Sequence, residues 1–390
     1  MASFADGRIE AYVGPKELGA RDDLETVIVD FIAGARSSLD IAVQELDSEP
    51  IAQAILDARW RGASINLFLE QDYLRTPLRS VKGVPAPPKP KPGETPQDAL
   101  RRAQWGPDET ELAANRTILA ALLRSDIEVK GDFNPKIFHQ KFALRDYRGG
   151  KATRPGKPAL LSGSANFTLT DTHKNLNHVF VFNSTAVCRQ YEQEFQQLSL
   201  GRFGREIHGD VPELFDLGGI PAKVLFAPVH TPELEIMKQM LKGSKETYFA
   251  IFTFAGSSGI DDTMLALARG GMKIRGVVDR GQAAQGWAAS RAMLNHDNIA
   301  LFQPTKASGV RKLHHKLMVI DERIVVAGSF NYTEPANDYN DENIFVLGSV
   351  DPVTHGITVA ADPTGDLARY MKTEIDRIIS HLSEPLTEVG

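Results

Sequence analysis

Cysteine is almost absent: Cys188 stands alone among 390 residues, so no internal disulfide can form and the covalent framework of a small secreted domain is excluded. Long apolar runs are missing as well. No stretch approaches the roughly 18 uninterrupted apolar residues of a spanning helix, and the opening MASFADGRIEAYVG has neither the basic start nor the apolar run of a signal peptide. The expectation is a cytoplasmic protein with no stable membrane insertion. Positive charge is not in excess: 44 Lys and Arg against 50 Asp and Glu leave a net charge of −6, which argues against a protein that coats nucleic acid by bulk electrostatics. Local basic clusters remain open. The histidines show no zinc-ligand spacing and no two-metal carboxylate cluster is visible, so neither a metal nor a cofactor is expected.

What the chain does have is a repeat. SSLDIAV (Ser37 to Val43) followed by RGASINLFLE (Arg61 to Glu70) reads strand, helix, strand, and so does TYFAIFT (Thr247 to Thr253) followed by GGMKIRGVVD (Gly270 to Asp279), about 210 residues later. Similar starts precede them, IEAYVGP (Ile9 to Pro15) and AKVLFAP (Ala222 to Pro228). Strands alternating with helices predict an α/β fold of two similar halves with mixed sheets flanked by helices, related by a pseudo-twofold. The Gly- and Pro-rich stretch from Gly201 to Pro221 is the natural linker, giving halves of 1–208 and 209–390. The first half carries a Pro-rich insertion at about 75–115, whose core VPAPPKPKPGETP (Val84 to Pro96) reads as an extended, solvated loop followed by a helix near Asp98 to Ser125.

The chemistry lies in a second layer of the same repeat. His139-Gln-Lys141 with Asp146 five positions on, then Gly163-Ser164-Ala-Asn166, is matched by His314-His-Lys316 with Asp321, then Gly328-Ser329-Phe-Asn331. Nine residues after Asn166 and Asn331 come Asn175 and Asn340. Alternate side chains of a strand share a face, so His139 points with Lys141, His314 with Lys316, Ser164 with Asn166 and Ser329 with Asn331. Each half thus offers an imidazole, an ammonium, a hydroxyl and an amide from neighbouring strands, the makings of a phosphate site with a nucleophile in it. Asp146 and Asp321, an odd step from the lysines, read as orienting or turn residues. His315 faces away from His314.

These HxKxxxxD and GSxN motifs resemble the duplicated signature of the phospholipase D superfamily, and the repeat extends the likeness over nearly the whole chain. The resemblance implies one active site at the interface of the halves and a two-step displacement, in which one histidine attacks phosphorus while the other protonates the leaving oxygen and then activates water. Lys141, Lys316, Asn166 and Asn331 would hold the non-bridging oxygens. The family usually has Glu two positions after the second Asn. Glu342 supplies it, whereas the first half has Asn177. Glu342 is therefore expected to orient His314 as the acid, leaving His139, with family precedent, as the nucleophile.

The family spans nucleases, phospholipases and phospholipid synthases. Basic residues gather near the motifs, with Arg148, Lys151 and Arg154 in a ten-residue extra loop of the first half and Arg311 and Lys312 before His314. They favour a nucleic acid partner, DNA or RNA, bound through these side chains. A phospholipase D acting on phospholipid headgroups is the alternative. A non-catalytic nucleic-acid-binding protein is a third reading, against which the intact His and Lys of both halves argue.

Overall fold

The computed structural model describes residues 2–71, 109–350 and 363–387. The proline-rich core of the insertion, and most of the segment placed at about 75–115, lies outside the described residues.

The first half runs β1 (Ala2–Phe4), β2 (Ile9–Gly14), α1 (Leu24–Ala33), β3 (Ser38–Val43), α2 (Glu49–Trp60), β4 (Ser64–Leu69), α3 (Glu109–Arg124), β5 (Glu128–Gly131), β6 (Lys141–Arg145), β7 (Tyr147–Arg148), β8 (Lys151–Ala152), β9 (Ala159–Gly163), α4 (Leu169–His173), β10 (Asn175–Phe182) and α5 (Thr185–Ser199). The second half runs β11 (Leu214–Asp216), β12 (Pro221–Ala227), α6 (Pro232–Lys242), β13 (Glu246–Ile251), α7 (Ile260–Arg269), β14 (Lys273–Val278), α8 (Arg280–Ala283), α9 (Ser290–Met293), β15 (Ile299–Pro304), β16 (Lys312–Leu313), β17 (Lys316–Ile320), β18 (Ile324–Gly328), α10 (Glu334–Asp338), β19 (Glu342–Gly348), α11 (Pro363–Arg377) and β20 (Ser383–Pro385).

The two sheets share one order over eight strands, β1-β2-β10-β9-β6-β3-β4-β5 and β11-β12-β19-β18-β17-β13-β14-β15, with β20 added at the edge of the second and β16 pairing with β10 of the first. In each, three parallel strands (β3-β4-β5, β13-β14-β15) continue into antiparallel neighbours. The local causes are ordinary. Asp23 and Ser48 cap α1 and α2 by accepting from Thr26 N and Ile51 N. SLDIAV of β3 is buried along its whole length because both sheet faces are covered, which is why it reads as a continuous run rather than an alternation.

α1 and α2 cover one outer face, α6 and α7 the other, each over its own core. The third core lies between the sheets, where α5 and α11 are sandwiched with residues of both halves. There Phe180 of β10 meets Phe345 of β19 with ring centroids 4.8 Å apart. Each such buried ring contributes roughly 1.5–3 kcal/mol.

Asp146 and Asp321 have turn roles. Both sit at positive φ, 56° and 51°, which Asp tolerates better than bulkier residues. Asp146 accepts from the backbone N–H of Arg36 and Ser37 at 3.0 and 2.8 Å, tying the end of β6 to the start of β3. Asp321 does the same for β13 through Lys245 N and Glu246 N, both at 2.9 Å.

Candidate active site

The parallel strands end where the motifs begin. Val43 of β3 pairs with Lys141 at the start of β6, and Ile251 of β13 with Lys316 at the start of β17, so both HxK segments open onto one end of the sheets. The halves then cross over. Backbone N of His139 donates to Asp341 O at 3.0 Å, and N of His314 donates to Leu176 O at 2.9 Å. β16 pairs in parallel with β10 of the other half. The imidazoles of His139 and His314 face each other with centroids 6.5 Å apart and planes at 83°.

The crossing also decides which partner serves which histidine, and here the sequence expectation is overturned. Glu342 does not orient His314: its Oε2 lies 2.6 Å from Nδ1 of His139. His314 Nδ1 instead lies 3.1 Å from Oδ1 of Asn177. Each half's strand projects its carboxylate or amide onto the opposite half's imidazole. Spacing within one half could not reveal this, because the strand pairing that brings the partner close is contributed by the other.

The serines hold these partners rather than facing a substrate. Ser329 Oγ donates to Glu342 Oε2 at 2.8 Å and Ser164 Oγ to Asn177 Oδ1 at 2.7 Å, while each hydroxyl also accepts from a backbone N–H, Asn343 and His178 respectively. The preceding glycines allow it. A methyl group on Gly163 or Gly328 would overlap the carbonyl oxygen of His178 or Asn343 on the next strand.

Lys141 Nζ donates to His139 O at 3.1 Å and Lys316 Nζ to His314 O at 2.8 Å. Both ammoniums are buried, and burial lowers Lys141 to about 8, opposed by Glu342 and Asp171. Lys316 is held well below its ordinary value by burial and then by Lys141. A bound phosphodiester anion would relieve both. Asn166 is buried with its Oδ1 unpartnered, and half-buried Asn331 accepts from Thr253 N at 3.4 Å.

Burial drives the titration of the first histidine pair. It raises Glu342 to about 8, against Lys141, Ser329 and Lys316, and it lowers His139 well below the usual imidazole range, reinforced by the two lysines. Burial opposes charge on either partner, while Lys141 and Lys316 favour the carboxylate of Glu342. In that carboxylate form Nδ1 of His139 donates to Oε2, and Nε2 is left with a free lone pair.

The basic extra loop is elsewhere. The β7–β8 hairpin follows Asp146, five residues and about 16 Å along a strand from Lys141 at roughly 3.3 Å per residue. Arg148 is engaged by Asp40 and Ser64, and Lys151 and Arg154 are exposed at that far end. The structure thus places these three side chains away from the histidines. Arg311 and Lys312 are at the site's rim, Arg311 reaching Thr170 of α4 at 3.2 Å and Lys312 lying over the ring of Phe252, which itself packs on His314.

Four residues escaped the sequence reading. Glu70 and Asp279, the last residues of the two repeated strand-helix-strand segments, accept from Phe138 N and Leu313 N and so fix the approach to each histidine. Lys136 stands three positions before His139 as Arg311 does before His314, and Asp171 lies 3.4 Å from His314. The duplicated offsets of the first three were available in the sequence. His315 does face away from His314, stacking on His178 of the other half at 5.3 Å. Cys188 is buried, its thiol pushed up to about 12 by desolvation. Among the described residues, no group of three or more His, Cys, Asp or Glu is placed to hold a metal ion, and no helix is long and apolar enough to cross a membrane.

Comparison with known proteins agrees with the geometry. Residues 28–199 and 236–358 match the family described as "Cardiolipin synthase, PLD-like domain". Curated relatives include a mitochondrial cardiolipin hydrolase of Chlamydomonas reinhardtii, 35% identical over 98 residues (25% of this chain, 41% of that protein), and one of Danio rerio, 23% identical over 172 residues (44% and 55%). The chain thus spans about half or less of the length of these relatives. In fold it is similar to phosphatidylserine synthase from Haemophilus influenzae (TM-score 0.55, 11% identity, 99% of this chain and 89% of that one) and to polyphosphate kinase from Porphyromonas gingivalis (TM-score 0.59, 12% identity, 99% and 50%). With the family match covering both halves and the duplicated motifs meeting in one site between them, the chain belongs to the phospholipase D superfamily of PLD-like phosphodiesterases.

Proposed function

We propose that this protein hydrolyses phosphodiesters through a phosphohistidine on His139. The observation that carries the reading is the Glu342–His139 pair facing His314 across a gap lined by two buried lysines. Nε2 of His139 attacks phosphorus, and His314 gives its Nε2 proton to the departing oxygen. Neutral His314 then takes a proton from water as the water displaces His139. Lys141, Lys316, Asn166 and Asn331 stabilise the charge that develops on the non-bridging oxygens. Because protonated and hydrogen-bonding side chains supply that stabilisation, activity is expected to survive EDTA. Complete loss with chelator, restored by a divalent ion, would refute the mechanism.

The substrate favoured is a nucleic acid backbone, now on different residues from the extra loop. Lys136 and Arg311 are exposed, one from each half, at equivalent positions before the two histidines. Aromatic rings accompany them, Tyr339 under Lys136 on one side and Phe252 under Lys312 on the other. Cations with aromatics on both sides of the reacting phosphate suit a polymer whose neighbouring phosphates flank the one being cut. Removing two phosphate contacts with Lys136→Ala and Arg311→Ala should flatten the slope of log affinity against log salt by about 1.4 on single strands. An unchanged slope speaks against the polymer.

Phospholipid headgroup hydrolysis is the second reading, supported by the names of the curated relatives and by exposed Ile137 and Leu169 near the two motifs. Incubation with single-stranded DNA, duplex DNA, RNA, and phosphatidylcholine and cardiolipin vesicles, with His139→Ala as control, separates the two. Turnover of vesicles alone would exclude the nuclease.

A further inference from the structure

The two halves are not charged alike around their histidines. Eleven residues after Asn166 and Asn331 come Asn177 and Glu342, so the first half has an amide where the second has a carboxylate. Five residues after the same asparagines the inequality reverses, Asp171 against Ala336. Asp171 is buried, on the short helix α4, and its Oδ2 stands 3.4 Å from Nδ1 of His314, beside Asn177 Oδ1 at 3.1 Å. It is anchored there by Asn166 N, which donates to Oδ2 at 2.7 Å, and by Asn175 Nδ2, which donates to Oδ1.

We infer that Asp171 is a positioning residue that replaces, from a different place in the fold, the carboxylate missing at Asn177, and that it allows His314 to act as the proton donor. The inference rests on the acid role given to His314 above. In the first step the bond from His139 Nε2 to phosphorus forms as the P–O bond breaks, and the Nε2 proton of His314 moves to the leaving oxygen. His314 must therefore start as an imidazolium. Its surroundings oppose that: burial comes first, then Lys316, Lys141, His139 and Lys312. A neutral amide on Nδ1 fixes the ring without offsetting the charge. A carboxylate at 3.4 Å in a buried site does offset it.

The test compares a phosphodiester with a 4-nitrophenolate leaving group, which departs without a proton, with one carrying an alkoxide leaving group, which needs one. Release of the first leaving group is followed in a single turnover. Asp171→Asn is expected to slow alkoxide departure by about tenfold to a hundredfold, part of the roughly 10²–10⁴ that a general acid supplies, and to change nitrophenolate departure little. Asp171→Ala with Asn177→Glu imports the second half's own arrangement and should recover most of the loss. Thermal midpoints report whether each variant is folded. Equal slowing of both substrates by Asp171→Asn, or no recovery in the folded double variant, would overturn the inference. His314→Ala separates it from the underlying mechanism. If that protein shows no leaving-group dependence, the acid assignment fails. If it does and Asp171→Asn does not, only the role of Asp171 fails.

Discussion

In the His314→Ala protein a substrate with a good leaving group is expected to leave its phosphoryl fragment on His139 and go no further. The imidazoles face each other with centroids 6.5 Å apart, close enough to act on one phosphorus from opposite sides, so the two rings are expected to divide the work rather than duplicate it. His139 has a carboxylate hydrogen-bonded to Nδ1 at 2.6 Å, whereas Nδ1 of His314 meets an amide at 3.1 Å with the Asp171 carboxylate behind it at 3.4 Å. A carboxylate fixes the proton on Nδ1, keeps Nε2 basic, and offsets the positive charge that the ring gains when Nε2 bonds to phosphorus. That is the basis on which His139 is proposed as the nucleophile. Removing His314 deletes both the acid for the first step and the base for the second. An alkoxide-leaving substrate should slow by about 10³–10⁴, near the upper end of what acid-base catalysis supplies. A nitrophenolate substrate should react once and stall. Mass spectrometry of peptides quenched at alkaline pH should then find the fragment on His139. His139→Ala should be inactive with either substrate, and the double variant scarcely worse than this single one, since the residues act as a unit. A fragment found on His314 in the His139→Ala protein, and never on His139, would reverse the assignment.

The assignment of the nucleophile is the one sequence analysis suggested, but the physical reason is the opposite of the one given there. From the chain alone, Glu342 belongs with His314 because both lie in the second half, and Asn177 leaves His139 without a carboxylate. The strand pairing of His139 N with Asp341 O, and of His314 N with Leu176 O, exchanges the partners. Such pairing between segments over 100 residues apart leaves no periodicity to read. What was legible is what repeats locally: the strand-helix-strand units and the turn roles of Asp146 and Asp321, whereas the strands begin at Lys141 and Lys316 and leave His139 and His314 outside them. Ser164 and Ser329 follow the ends of their strands, and their hydroxyls are committed to Asn177 and Glu342. The basic loop misled for a related reason. Arg148 is near Lys141 in sequence, but a strand carries it to the other end of the sheet, where Asp40 engages it.

Replacement of Glu342 by glutamine should be nearly as damaging as loss of a histidine, and should fail at a different step. The substitution keeps the volume of a fully buried side chain and can still accept one hydrogen bond, so the fold is expected to hold. What disappears is the ability to carry a negative charge beside Nδ1. Glu342 is 2.6 Å from Nδ1, and it also opposes the burial that lowers Lys141. With a neutral amide there, the cationic phosphoimidazolium forms in a buried site holding two ammoniums without its counter-charge. A buried carboxylate that orients a catalytic imidazole is worth up to about 10⁴ in turnover when neutralised in place, so a loss on the order of 10³–10⁴ is expected. The first step carries the loss, so both leaving groups should slow and no fragment should accumulate on His139. This contrasts with His314→Ala, where the good leaving group departs and the fragment stays. If the Glu342→Gln protein instead accumulates phosphorylated His139 at an undiminished rate, the carboxylate serves breakdown of the intermediate rather than its formation.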